Sequence, residues 1–285
     1  MKRIIDPKEI LTKDLHQYII GAIAPRPIAF VSTIDDDGNQ NLAPYSFFNA
    51  FSSNPPILVF SSNRKVSNNT IKDTLYNVRQ NKEVVINVVN YDIVRQMSLA
   101  SVEFPKGESE FLKTGLTPMP AIDVSPFLVH ESPVNMECKV VDVITLGEKG
   151  GAGHLIICEV LKLHISEHIL DGDRINPHKI DLMGRMGRSY YVRASGSAVS
   201  EIYQGVINDV LGFDRLPEFI RKNNHLNGNE IAVMAACKAI PTDVVAVNTD
   251  LSKEDIYDEV KALLANEEGE QALRMLISYH NQGIL

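Results

Sequence analysis

The chain has 285 residues, 44% of them hydrophobic and 22% charged, with a net charge of −8. That length can bury a sizeable core in one large or two modest domains, and the acidic balance argues against a general nucleic-acid surface. No apolar run is long enough to span a bilayer, and Met1-Lys-Arg-Ile-Ile-Asp-Pro lacks the apolar stretch of a secretory signal, so membrane insertion is not expected and a cytoplasmic location is the default. The three cysteines, Cys138, Cys158 and Cys237, are far apart. Their odd number excludes complete internal pairing, and none sits in a metal-type Cys-x-x-Cys. Cys138 and Cys158 lie inside apolar strand-like runs and read as core thiols.

Residues 1–20 read as a helical or irregular lead-in, broken by Gly21 and Pro25. Ile28, Phe30 and Ser32 then alternate with Ala29, Val31 and Thr33, as a pleated strand requires. Asp37-Gly38 predicts a tight hairpin with a primed turn. The return strand ends in Ala43-Pro-Tyr-Ser-Phe-Phe-Asn49. It cannot be a regular central strand, because Pro44 has no N–H for a ladder. Such an interruption leaves free backbone groups beside an aromatic cluster, which suits a planar, hydrogen-bonding ligand.

Pro55-Pro56 sets an extended entry to the apolar strand Ile57–Phe60. A helix is predicted over Asn69–Lys82, capped by Ser67, with Ile71, Leu75 and Val78 on one face. Val84–Val89 is a β-branched strand, and Tyr91–Ser101 reads as a short helix. Residues 103–127 form a long excursion of the kind that is often functional. In Val134–Leu146, Val134, Met136, Cys138 and Val140 share one parity, while Val141 and Val143 take the other, which predicts a bulge or twist. After a turn at Lys149-Gly150-Gly151, His154–Ile165 returns as a strand, with Leu161, Leu163 and Ile165 on one face and Lys162 and His164 on the other. Beyond Ala194-Ser-Gly-Ser-Ala198 the character changes. The helix-rich tail Asp255–Ile277 has Ile256, Val260, Leu263 and Leu264 on one face, and cap candidates in Thr249–Ser252.

The segment Arg26–Asn49, continuing through Phe51-Ser-Ser-Asn-Pro-Pro-Ile-Leu-Val-Phe-Ser-Ser62, resembles the flavin reductase-like family, and most nearly its flavoredoxin-like branch. Further matching pieces follow in family order: Lys72–Val78, Val84–Val88, Gly107–Pro118, Glu131–Cys138 and Gly184–Tyr191. The resemblance covers roughly the first two-thirds of the chain. It implies a mainly β fold, an FMN-binding split β-barrel over residues 1–195, followed by a C-terminal helical extension over 196–285. It also implies a homodimer, a bound FMN, and NADH or NADPH as a transient co-substrate. Electrons would pass to a free flavin, a redox partner protein or another acceptor.

FMN makes three demands: donors and positive charge for its phosphate, an apolar slot for its ring, and hydrogen bonds to its ring nitrogens and carbonyls. Ser61, Ser62 and Lys65, directly after a strand, with Lys72, Asp73 and Thr74 on the next helix, form a candidate phosphate cradle. The alternative is a polar surface loop with a capping serine. Arg26 is a second cationic candidate, or a surface arginine before a proline. For the ring, the candidates are Ala43, Pro44, Tyr45, Ser46, Phe47, Phe48 and Asn49. Phe47 or Phe48 also reads as core alone. Ser46 and Asn49 favour ring or ribityl contacts, since buried polar groups need partners. Asn87, inside an apolar strand, is either a structural amide or a ribityl contact. Ser46 and Lys65 are then expected on one cleft.

Where family members often carry a second glycine in Gly184-Arg-Met-Gly-Arg-Ser-Tyr-Tyr191, this chain has Arg188. A nicotinamide slot is sought in 103–118 or 184–191. Asp35-Asp36-Asp37-Gly38 lacks the downstream Glu of a calcium loop, and His164 and His168 lie at a strand end, so no metal is expected. No acid–base residue is assigned, because hydride transfer to a flavin needs none. Two other readings remain open: a flavin-binding electron carrier without nicotinamide turnover, and a cofactor-free interaction protein that kept the barrel.

Overall fold

A computed structural model describes the chain except residues 106, 203–209, 244, 246 and 247. It forms two units, Met1–Ser200 and Glu201–Leu285.

The first unit opens with helix α1 (Thr12–Ala22), then β1 (Ala29–Ile34) and β2 (Gln40–Tyr45). The alternation read from the sequence sorts β1 between two cores: Ala29 and Val31 join the barrel interior, while Phe30 joins the packing outside it. The turn between β1 and β2 is longer than a primed two-residue turn. The Asp35 carboxylate accepts from the N–H groups of Asp37 and Asn39 at 3.0 and 2.8 Å, and Gly38 sits at φ +85°. An aspartate at the first position organises the loop instead of the Asp37-Gly38 pair.

Next come β3 (Phe48–Ser53), β4 (Pro56–Ser61), α2 (Asp73–Asn81), β5 (Glu83–Val88), α3 (Val94–Leu99) and α4 (Glu110–Thr114). Short strands β6 (Pro118–Met119) and β7 (Leu128–Val129) pair with each other. The long strands β8 (Val134–Thr145) and β9 (His154–Ile165) follow. Two small hairpins close the unit: β10 (Leu170–Asp171) with β11 (Arg174–Ile175), and β12 (Met183–Arg185) with β13 (Tyr191–Arg193).

The principal sheet is seven-stranded, in the order β2-β1-β5-β8-β9-β4-β3, with every pairing antiparallel. Its two edges, β2 and β3, are consecutive in the chain, joined only by Ser46-Phe47. A connector that short spans about 11 Å at most. The sheet must therefore curl until its edges meet. No ladder joins them, and the barrel stays split along that seam. Pro44 lies on β2, opposite Phe30, where an edge strand tolerates a missing donor. The change of parity in β8 is real: its register with β9 shifts between Glu137 and Cys138 and again between Val140 and Asp142.

The helix predicted from Asn69 begins only at Asp73. Asn69 takes φ +58° and its N–H closes a turn onto the Lys65 carbonyl, so Ser67 lies inside that turn, short of the helix, and caps nothing. Leu75 and Val78 of α2 are fully buried in the barrel core. Cys138 and Cys158 lie in that core too. Burial, with Glu137 adding to it, pushes the Cys138 thiol up to about 12.

The second unit is helical: α5 (Glu218–Arg221), α6 (Gly228–Ala235), α7 (Lys253–Ala265) and α8 (Gly269–Asn281). The mainly β expectation therefore describes the first unit alone. The helix-rich tail consists of two helices, parted at Asn266–Glu268, where Glu267 takes φ +61°.

Candidate functional site

The outer edge of β2 forms one wall of a groove. Asn41, Ala43 and Pro44 line it from β2, with Lys65 and residues 72–74 beside them and the stretch after α3, through Glu103, opposite. The edge is covered beyond this point by α4, whose Glu110 carboxylate accepts from Leu42 N–H at 3.0 Å, the usual need of an unpaired edge.

Two lysines face each other's charge here. Lys65 Nζ lies 2.7 Å from the Glu103 carboxylate, and Glu103 is 74% exposed. Lys72 Nζ lies 5.1 Å from the centre of the Tyr45 ring and has no ion-pair partner among the described residues. Burial, and then the neighbouring Lys65 charge, push its ammonium below the ordinary lysine value, with Glu103 opposing. Lys72 is also the N-cap of α2, and no side chain caps that helix. Its carbonyl accepts from Leu75 and Tyr76, while the N–H groups of Asp73 and Thr74 have no partner among the described residues. Two ammonium groups beside an uncapped helix start attract an anion with several oxygens. The negative charges on the groove are Glu103, the Asp73 carboxylate in the first turn of α2, and Glu110. Burial pushes the last of these above its ordinary value.

Thr74 is fully buried. Its hydroxyl accepts from Asn41 Nδ2 at 2.9 Å, and the Thr33 hydroxyl accepts from both Asn41 and Asn77 at 3.0 Å. This network fixes α2 against β1 and β2, and so fixes the lysine end of the groove.

A second cavity adjoins the first, sharing Pro44 and Ser101 with it, and reaches Ser46, Arg185 and Tyr191. Ser46 and Lys65 therefore stand on adjoining cavities on the same side of β2. Arg26, a predicted phosphate cation, is buried and holds protein instead. Its guanidinium donates to the carbonyls of Ile20, Ile23 and Met186 at 2.7, 2.5 and 3.2 Å, and to Ser46 Oγ at 3.4 Å. It closes the C-terminal end of α1 and positions Ser46.

The remaining candidates separate from this groove. Phe47, Phe48, Asn49 and Ser61 line a different cavity, with Asn63 and Gly153. Asn49 is exposed, and its side chain accepts from the next N–H, that of Ala50, so burial does not demand a ligand for it. Ser61 Oγ donates to Asn63 Oδ1 at 2.8 Å. A Cβ on Gly153 would come within 2.7 Å of that hydroxyl, which accounts for one glycine of the Gly147–Gly153 run. Ser62 and Tyr45 are interior. Their buried hydroxyls have no aligned partner, although the Thr74 and Ser62 hydroxyls sit beside the phenol; burial raises the Tyr45 pKa to about 12. Asn87 is a structural amide: it accepts from Val129 N–H and Asn135 Nδ2 and donates to the Phe30 carbonyl.

Sequence reasoning did not single out Asn41, Ser101, Glu103, Glu110, Arg185 or Tyr191 as lining residues. For Glu103, Glu110, Arg185 and Tyr191 the available signal was their place in two segments already suspected of function.

The flavin reductase-like domain matches residues 21–179. The chain belongs to that family. An uncharacterized protein of Aquifex aeolicus is 39% identical over 191 residues, 66% of this chain and 94% of its own length. Among solved structures, nitrilotriacetate monooxygenase component B from Bacillus cereus is similar at 30% identity and a TM-score of 0.66, over 72% of this chain and 98% of its own. The 2-nitrobenzoate 2-nitroreductase NbaA of Pseudomonas fluorescens is similar at 25% identity and 0.64, over 72% and 98%. The split-barrel fold of the first unit is that of the family.

Proposed function

We propose that this protein is an FMN-binding oxidoreductase that accepts hydride from NADH or NADPH and passes electrons to a free flavin or a partner protein. The observation that carries the proposal is Lys72: half-buried, without an ion-pair partner among the described residues, at the uncapped start of α2 and beside Lys65. Such a charge is costly to keep without an anion. In this reading Lys65, Lys72 and the N–H groups of Asp73 and Thr74 hold the phosphate. Ala43, Pro44 and Ser46 wall the ring along the β2 edge. The flavin, once bound, supplies the two-electron chemistry; the chain supplies orientation and charge. Neighbours named as a monooxygenase component and a nitroreductase support redox chemistry of this class. A cytoplasmic location belongs to the same proposal.

The proposal includes a homodimer, supported by an inverted strand. On the second half of β9 the polar residues face protein: Lys162 pairs with Asp123 at 3.0 Å and His164 with the buried Glu137 at 2.6 Å. The apolar residues face outward, with Leu161, Leu163 and Ile165 at 45, 55 and 38% exposure. A strand with its apolar side in water calls for a cover, and a second copy of this chain supplies the same strip to itself by two-fold symmetry.

Titration of the purified protein with FMN tests the cofactor, followed by anaerobic addition of NADH or NADPH. Saturable binding and bleaching of the flavin within seconds are expected. Bleaching by dithionite alone identifies an electron carrier without nicotinamide turnover, and absence of FMN binding ends both flavin readings.

A further inference from the structure

Arg185 lies in the matching piece Gly184–Tyr191, where the resemblance gives no role to this residue individually. It ends β12 and faces Tyr191 in the register of the β12–β13 hairpin, with its guanidinium carbon 4.5 Å from the centre of the Tyr191 ring. One of its donors is fixed, by Nη2 to the Arg188 carbonyl at 2.6 Å. Two nearby arginines are committed elsewhere. Arg26 donates to three backbone carbonyls, and Arg193 makes a two-pronged bond to Asp181 at 2.8 and 2.6 Å. Arg185 has no ion-pair partner among the described residues, yet it lines the cavity reached by Pro44, Ser46 and Ser101.

The hairpin that carries Arg185 is held in place. Its backbone exchanges hydrogen bonds with Arg26 in both directions, at 2.9 and 2.8 Å. A Cβ on Gly184 would lie 3.0 Å from both Pro25 Cβ and Val192 Cγ1, so the glycine of Gly184-Arg185 allows this close approach. The arginine is thus pre-positioned, with its guanidinium carbon over the Tyr191 ring and its other donors without a partner among the described residues.

We propose that Arg185 is the cation that stabilises the reduced over the oxidised ring of the bound flavin. This rests on the FMN reading above. With the phosphate at the lysine end, the adjoining cavity at Ser46 and Arg185 receives the ring end of the same ligand. Hydride addition to a neutral oxidised flavin leaves one negative charge, concentrated on the N1–C2=O edge. A planar guanidinium with unpaired donors beside that edge favours the charged state, and charge near this edge is a recognised lever on flavin electronics.

The test compares oxidised and reduced FMN on the full chain. Arg185→Gln is expected to weaken reduced FMN about tenfold while leaving the Kd of oxidised FMN within about twofold. That ratio lowers the midpoint potential of the two-electron couple by about 30 mV. Arg185→Lys, which keeps the charge and loses the planar fork of donors, is expected to hold the wild-type ratio within about threefold. Equal weakening of both forms in Arg185→Gln, or an unchanged ratio, overturns the inference and leaves the FMN reading standing. A lysine variant that loses the ratio as the glutamine one does overturns the role of charge. Wild-type protein that binds no FMN removes the underlying reading and the inference with it.

Discussion

The barrel unit buries Arg26, Thr33, Thr74, Asn77, Asn87, Asn135 and Glu137, whereas among the described residues of the C-terminal unit the buried polar side chain is Ser278. The two units also begin their helices differently. In the C-terminal unit, Asn227 with Glu230 and Ser252 with Asp255 form complete capping boxes on α6 and α7, while α5 and α8 have no side-chain cap. In the barrel unit none of α1 to α4 has a side-chain cap. One region stands on an apolar core, with capping boxes at the starts of α6 and α7. The other keeps buried polar networks and an open helix start. Buried polar groups cost stability unless they are fully partnered. One such network, Thr33 with Asn41, Thr74 and Asn77, holds the lysine end of the groove, and buried polar side chains are nearly missing among the described residues where packing alone suffices.

The strongest challenge to this contrast is in the apolar region. Leu273 of α8 is fully buried among Leu216, Ile220, Met234 and Val260. Leu273→Ala is expected to lower unfolding free energy by about 2–5 kcal/mol, read by urea denaturation, with the Kd for FMN unchanged. A parallel loss of flavin affinity would break the division of labour.

The complementary change is Lys72→Met. A charge-assisted bond to phosphate is worth about 1.5–3 kcal/mol, so FMN affinity should fall roughly 10- to 150-fold. Riboflavin, which has no phosphate, should bind both proteins alike. Equal loss for the two ligands, in fluorescence titrations, would mean that Lys72 acts through the fold.

Glu137 probes the polar network away from the groove. Burial raises its pKa, but the N–H groups of Ile122 and Asp123 and the ring of His164 outweigh that, and the net direction is down from 4.5. The folded value lies below the unfolded one. The carboxylate therefore stabilises the fold fully above the ordinary carboxylate range, and the contribution fades as pH falls through the lowered value. Glu137→Gln should be less stable than wild type at neutral pH. The gap between their urea midpoints should narrow on acidification below about pH 4.5. A gap independent of pH would assign the effect to packing.

Local pattern carried much of this architecture. The alternation in Ile28–Thr33 located β1, and the parity change between Val140 and Val141 located a real register shift. Lys72, Asp73 and Thr74 could be grouped because they are neighbours in the chain. What pattern could not reach depends on distant pairings. Arg26 reads as a free cation until α1 and Met186 supply carbonyls to it. Ser61 and Lys65 lie close in sequence, yet they line different cavities, because the chain stays extended between them, with Ser62 and Arg64 bonded to His154 and Ala152, and carries Lys65 away from Ser61. Arg185 meets Ser46 only through the bridge to Arg26. Glu103 meets Lys65 only through the course of the chain after α3.

That last meeting gives the smallest expected effect and the finest distinction. In the free protein the Glu103 carboxylate occupies Lys65 at 2.7 Å, and Lys65 in turn holds Glu103 below the ordinary carboxylate value. A phosphate arriving at the same ammonium must displace it. An exposed, solvent-screened pair of this kind is weak. Glu103→Gln should therefore tighten FMN binding by up to about fivefold, and the gain should shrink as salt screens the competing carboxylate. Weaker binding in Glu103→Gln would mean that the carboxylate orients Lys65 for the ligand, not that it competes with the phosphate. Lys65 and Lys72 would then differ in kind: one held ready by a partner, the other kept ready by having none.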